Sequence, residues 1–229
     1  MRILFFADNF PPESNAPAIR TYEHAREWVK SGHQVTVVTC APNFPTGRVY
    51  PGYSNSLYQT EERDGIHVVR VWSYVAANEG SIKRVLDYFS YLVTATVAAL
   101  VTQRADVVIG TSPQLFAAIG AWLVAKAKHV PFVFELRDLW PESITAVGAM
   151  RPGFWLTRLE RFVSYLYRQA DLIVPVTESF ARVLRADGIP PERITVVTNG
   201  IDPDRHGLTG TPEEVRRHWG IPAEAFVGG

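Results

Sequence analysis

Residues 131–143 read PFVFELRDLWPES. Phe132, Val133, Phe134 and Leu136 follow one another without polar alternation, the pattern of a strand covered on both faces of a parallel sheet. Glu135 is the only charge inside that run. Pro141 cannot donate to a ladder and biases Trp140 away from helix, so the chain turns within residues 137–140. In open α/β sheets ligands bind beyond the carboxyl ends of the strands, which makes Arg137 and Asp138 candidate catalytic residues. The plain alternative is a surface ion pair beside a half-buried tryptophan.

Working outward, strand patterns recur at residues 2–7, 35–39, 66–71, 106–110, 170–177 and 194–198. Helical patterns separate them at 18–30, 81–104, 115–128, 153–169 and 179–186, with a short polar helix at 211–219. Gly32 ends the first helix as a left-handed cap. The alternation specifies an α/β fold: a doubly wound, mostly parallel sheet of about seven strands. Residues 41–64 carry three prolines, two glycines and three tyrosines with no usable period, and a loop of that length is functional or mobile.

Composition narrows the function classes. Twenty-three basic residues balance 23 acidic ones, so no global field recruits nucleic acid. A single cysteine, Cys40, excludes an internal disulfide framework and points to a reducing compartment, the cytoplasm by default. Residues 88–103 form a long uncharged stretch, shorter than a membrane span needs, and read as a buried helix. The first strand is too short and wrongly flanked for a signal peptide.

The turn after the first strand, ADNFPPESNAPA, has no glycine, so a nicotinamide dinucleotide site is not expected. No GxxxxGK[ST], HExxH or CxxC occurs, and no metal is expected. Ser14, Asn15 and Ala16 precede a helix with Arg20 one turn in. Such a terminus suits a phosphate or a sugar hydroxyl, and equally suits plain capping by Asn15. Thr111-Ser112-Pro113, ending the fourth strand, reads first as a cap for the next helix, raised in interest by its place beside the Arg137 loop. Asn199-Gly200-Ile201-Asp202 is a turn by its chemistry. Arg158, Arg161 and Arg168 share one helix face, an ordinary solvated face or a contact with an anionic membrane surface. None of the six scattered histidines reads as a catalytic base.

In this order and at these distances, MRILFFADNFPPESNAPA, SGHQVTVVT, ELRDLWPES and VTNGID resemble the amino-terminal half of family 4 glycosyltransferases. The likeness is to the bacterial sugar transferases that build surface polysaccharides, and it covers nearly the whole chain. It implies a GT-B enzyme with two Rossmann-like domains and a reaction in the cleft between them. The first domain mainly holds acceptor and the second mainly a nucleotide sugar, with retained anomeric configuration and no metal or other cofactor. The loop at Ser14, Asn15 and Ala16 would face the donor diphosphate with Arg20 behind it. Arg137 and Asp138 would line the cleft near the transferred sugar, with Thr111 and Ser112 beside them. Asn199 and Gly200 would mark the exit from the first domain.

Many relatives carry Gly-Gly in the first loop and histidine at the position of Arg137. Arginine here reads as a specificity difference. The resemblance divides the chain into residues 1–205, an acceptor-side domain, and 206–229, a linker and the start of a donor domain. The expected partners are a nucleotide sugar and a glycan or lipid-linked acceptor, with peripheral contact at the inner face of the cell membrane. The 229 residues by themselves are expected to transfer sugar very poorly. A stand-alone acceptor-binding module docking on a separate catalytic subunit, or half of a nucleotide-sugar epimerase, are the alternatives.

Overall fold

The computed structural model describes residues 1–75, 81–101, 104–140, 153–200, 211–222 and 224–225. Pro141–Ser143, Ile201, Asp202 and the strand expected to begin at Phe226 lie outside the described residues. The chain divides into two units, Met1–Val197 and Thr198–Gly229.

The first unit is built on a seven-stranded sheet. Its elements, in chain order, are β1 (Arg2–Phe6), α1 (Ala16–Lys30), β2 (Gln34–Cys40), β3 (Tyr58–Arg63), β4 (Ile66–Val71), α2 (Ser81–Val101), β5 (Val107–Thr111), α3 (Leu115–Lys128), β6 (Phe132–Leu136), α4 (Phe154–Gln169), β7 (Leu172–Pro175) and α5 (Glu178–Ala186). Strand order is β3-β4-β2-β1-β5-β6-β7, parallel except for the antiparallel β3–β4 pair. The α/β, doubly wound, mostly parallel architecture is therefore as expected.

Two strands exchange places with the expectation. β3 lies in what reads as a loop, because its sequence YQTEER alternates exposed and half-buried positions at a sheet edge and carries almost no apolar signal. The clue is Asp64-Gly65, both at positive φ (51° and 78°), the two-residue turn that suits a hairpin's twist. Conversely, residues 194–198 do not form a full strand. Ile194 bridges Ile173, and the Thr195 and Val197 amides donate to the Ile173 and Pro175 carbonyls.

Burial alternates along the strands between two apolar layers. Ile3, Phe5, Val35, Val37, Ile66 and Val68 pack with Tyr22 and Ala25 of α1. Leu4, Phe6, Val38, Val69, Val108, Phe134 and Leu136 pack on the opposite face with α2, α3, α4 and α5. Gly110 lets α3 sit directly on β5: a Cβ there would stand 2.7 Å from both Ala118 Cα and Ala121 Cβ.

α2 departs from the expected buried helix. Tyr91, Ala95, Ala98 and Ala99 are buried, and the Tyr91 hydroxyl donates to the Val38 carbonyl. The opposite face carries Val85, Leu86, Phe89, Val93, Val97, Leu100 and Val101, all exposed. Periodicity finds two apolar faces and cannot say which one meets a neighbour. Residues Lys83–Val101 are long and apolar enough to cross a membrane by length and composition.

The long segment after β2 is tied down. The buried Glu13 carboxylate accepts from the Asn43 and Phe44 amides at 2.8 Å each and from Asn9 Nδ2 at 3.0 Å. Arg70, 1% exposed, donates to Glu61, the Cys40 carbonyl and the Pro11 carbonyl, and lies over the Tyr53 ring. In the second unit a short helix, α6 (Pro212–His218), begins with a capping box between Thr211 and Glu214.

Candidate functional site

β1 and β5 are adjacent parallel strands whose following helices pack on opposite faces of the sheet, α1 on one and α3 on the other. That is a topological switch point, where departing loops diverge and leave a crevice. A cavity of about 810 Å³ lies there. Asp8 and Asn9 come from the loop after β1, Arg20 and Thr21 from α1, Thr111, Ser112 and Gln114 from the end of β5, and Asp138 from the loop after β6. Helices supply apolar walls: Val85 and Tyr88 from α2, Phe116 and Ile119 from α3, Leu159 and Phe162 from α4.

Below the polar part sits a charge cluster centred on Glu135 Oε1. His24 Nδ1 lies 3.2 Å away, Arg20 Nε 3.6 Å and Arg137 Nη1 3.9 Å. Burial pushes the Glu135 carboxyl up, but the His24 hydrogen bond and the charges of Arg20 and His24 outweigh it and hold it below its usual value. The Arg137 guanidinium is drawn down from its usual value by burial and by Arg20, against Glu135 and Asp138. Two guanidiniums share one carboxylate, which leaves positive charge in excess within the cluster.

Ser112 organises the rim. Its Oγ accepts from the Arg137 amide at 2.7 Å and the Asp138 amide at 3.2 Å, fixing the turn that the sequence places after β6. Arg20 Nη2 donates to Thr111 Oγ1 at 3.1 Å. The expected capping of α3 by the Thr111-Ser112-Pro113 turn is not what these side chains do. Gln114 is the N-cap and makes no side-chain capping bond. The amino-terminal turn of α3, with Leu115 and Phe116 in the cavity lining, therefore opens onto the crevice.

The other terminus behaves differently. Asn15 Oδ1 accepts from the Ala18 amide at 2.9 Å, so α1 is capped by its own chain. Ser14 and Ala16 are exposed, and none of these three residues lines the cavity, whereas Arg20 does. Arg137 stands behind the rim through Glu135, with only Asp138 of that pair in the lining. No residue of the 41–64 segment reaches it. Asn199 and Gly200 are exposed and belong to the second unit. Arg158, Arg161 and Arg168 are exposed on α4, with the Arg158 guanidinium 5.0 Å above the Phe154 ring.

Sequence reasoning missed Asp8, Asn9 and Gln114, and passed over Glu135 and His24. Burial raises the Asp8 carboxyl to about 7, with Asp87 and Glu13 adding like-charge repulsion and Cys40 and Gln114 opposing it. An aspartate at the end of a buried first strand was the available signal. For Glu135 it was a charge inside an otherwise apolar strand, which demands partners. Among the described residues no group of three or more His, Cys, Asp or Glu could hold a metal.

Residues 15–200 match the family described as "Glycosyl transferase 4-like domain". The chain is 30% identical over 155 residues to WcaI of Escherichia coli (strain K12), whose name assigns it to colanic acid biosynthesis as a glycosyl transferase. That alignment covers 67% of this chain and 38% of WcaI. Among solved structures, the Anabaena protein HepE in complex with UDP-glucose superposes with a TM-score of 0.57 at 14% identity, over 96% of this chain and 50% of HepE. A sucrose-phosphate synthase structure from Thermosynechococcus elongatus gives 0.56 at 9% identity, over 96% of this chain and 99% of that one. The UDP-N-acetylglucosamine 2-epimerase of Rickettsia bellii gives 0.51 at 13% identity, over 97% and 52%. These structural likenesses share the fold.

Proposed function

The chain belongs to the glycosyl transferase 4-like family of GT-B fold, and from that premise we propose that its switch-point cavity is the acceptor side of a retaining sugar transferase. The donor is a nucleotide sugar, a reading supported by the UDP-glucose complex of HepE. The acceptor is a lipid-linked glycan or growing polysaccharide, used at the cytoplasmic face of the membrane. WcaI carries in its name a glycosyl transferase role in colanic acid biosynthesis.

The observation that carries this reading is the cavity's mixed wall. Strand-end loops supply Asp8, Asn9, Gln114 and Asp138, which suit sugar hydroxyls, while α2, α3 and α4 supply aliphatic and aromatic surface. Arg20 and the open amino terminus of α3 suit a diphosphate between the two. An amphiphile with a sugar head, an anionic link and an apolar tail has each of its parts matched. Asp138 is the group we assign to the reacting end, held by Ser112, and Arg137 is a positioning residue acting through Glu135.

Calorimetric titration of this chain with a short polyprenyl-diphosphate sugar, and separately with UDP, tests the assignment. The account expects the lipid-linked sugar to bind and Arg20→Ala to weaken it about tenfold to a hundredfold, the worth of one charged hydrogen-bond donor. Tight UDP binding with none of the lipid-linked sugar would assign the cavity to the donor and overturn it.

A further inference from the structure

The exposed face of α2 meets none of the needs of the fold. Val85, Phe89, Val93, Val97 and Val101 recur every fourth residue, flanked by Leu86 and Leu100, a stripe about 24 Å long at the rise of an α-helix. Soluble monomers seldom leave a continuous apolar band of this kind open to water. From Tyr88 to Val101 the helix carries no charged residue. Its ends are cationic: Lys83 and Arg84 are exposed at the start, Arg104 is exposed just beyond the end, and Lys128 Nζ donates to the Leu100 carbonyl at 3.2 Å. The single acid of α2, Asp87, is half-buried.

We propose that this face of α2 is a membrane-docking surface, lying flat on an anionic bilayer with its aliphatic stripe at the acyl boundary and its flanking lysines and arginines on lipid phosphates. Charge complementarity selects this occupant. In a second copy of the chain, parallel or antiparallel pairing of the stripes brings cationic ends onto cationic ends, which costs affinity. A protein partner is disfavoured by composition, because valine and leucine dominate the stripe while interface hot spots draw on Trp, Tyr and Arg. A transmembrane passage is excluded by the packing of Tyr91, Ala95, Ala98 and Ala99 into the core. Val85 also lines the switch-point cavity, so docking would bring the cavity mouth to the lipid surface. The inference stands on the α2 face itself, whatever the cavity binds.

Co-flotation with vesicles of phosphatidylglycerol and phosphatidylcholine, free of any polyprenyl lipid, is the test. The wild-type chain is expected to float. The double variant Phe89→Glu, Val97→Glu, altered only at exposed positions and checked by circular dichroism, is expected to lose about tenfold or more in partitioning. Replacing Arg158, Arg161 and Arg168 by Gln is expected to leave most of the binding in place. In Phe89→Trp, the new tryptophan's emission should shift to the blue with vesicles and be quenched by brominated lipid. No flotation, or flotation indifferent to the α2 glutamates, overturns the proposal. So does a lipid-independent dimer that buries the new tryptophan, which would assign the face to a second copy.

Discussion

The carboxyl-end rim of the sheet and the outer face of α2 break the ordinary rule of burial in opposite directions. At the rim, Glu135 and the side chains of Arg20 and Arg137 are largely removed from water, the two arginines 15% and 6% exposed. On α2, seven large aliphatic or aromatic side chains are left in it. Charges taken out of water cost several kcal/mol each unless matched. Apolar surface left in water forgoes about 25 cal/mol per Å². Neither arrangement is the cheapest route to a stable fold, and the two regions share Val85 and Arg84 at the cavity. The difference between them is that the rim charges are paired within the chain, two guanidiniums on one carboxylate with positive charge to spare, while the stripe faces water, so the first reads as a preorganised site and the second as a surface awaiting a neighbour.

That contrast can be broken at the rim first. Glu135→Gln removes the one carboxylate shared by two guanidiniums and is expected to cost about 3–5 kcal/mol in urea unfolding at neutral pH. A loss below about 1 kcal/mol would mean the rim charges are not matched through Glu135. The pH dependence comes next. Asp8 titrates at about 7 in the folded chain against an ordinary 3.8, so the folded state holds its proton more tightly than the unfolded one. Its stabilising contribution is complete below pH 3.8 and is lost as pH rises through 7. Asp87, raised to about 6 by burial, acts with the same sign. Asp8→Asn is expected to recover stability on the order of 2–4 kcal/mol at pH 8 relative to pH 4. Equal pH slopes for the two proteins would show that Asp8 is ionised in the fold.

Smaller effects sharpen the comparison. Gly110→Ala forces α3 away from β5, because a Cβ would meet Ala118 Cα and Ala121 Cβ at 2.7 Å. The expected loss is about 1–3 kcal/mol in thermal unfolding, with weaker ligand binding at the displaced helix terminus. Asn15→Ala removes the cap of α1 and should cost about 1 kcal/mol without touching the cavity. Phe89→Glu on α2 should change stability by less than about 0.5 kcal/mol. A large destabilisation there would mean the stripe is covered within the folded chain.

The legible parts of the sequence were those where one physical demand dominates. Residues 132–136 had to be a strand buried on both faces, and Arg137 and Asp138 had to follow it at the sheet's carboxyl end. Arg20 was found by its place one turn into α1, yet its partners were not, because Glu135, Thr111 and Ser112 reach it only through strand order. β3 escaped because an edge strand needs little apolar surface, and its Asp64-Gly65 turn was the sole strong mark. The outer face of α2 escaped for the opposite reason: valines and leucines at helical spacing look the same whether they meet a core or a membrane. Asn15 read equally as ligand contact and as cap, and its side chain is engaged as a cap through the Ala18 amide.

A structure of the chain bound to a short polyprenyl-diphosphate sugar tests the central claim most directly. The account predicts the diphosphate within hydrogen-bond distance of the Arg20 guanidinium at the amino terminus of α3. The sugar should lie toward Asp138 and the lipid along Val85, Tyr88 and Phe116. A diphosphate located away from Arg20, or the same cavity filled by UDP in preference to the lipid-linked sugar, would contradict it.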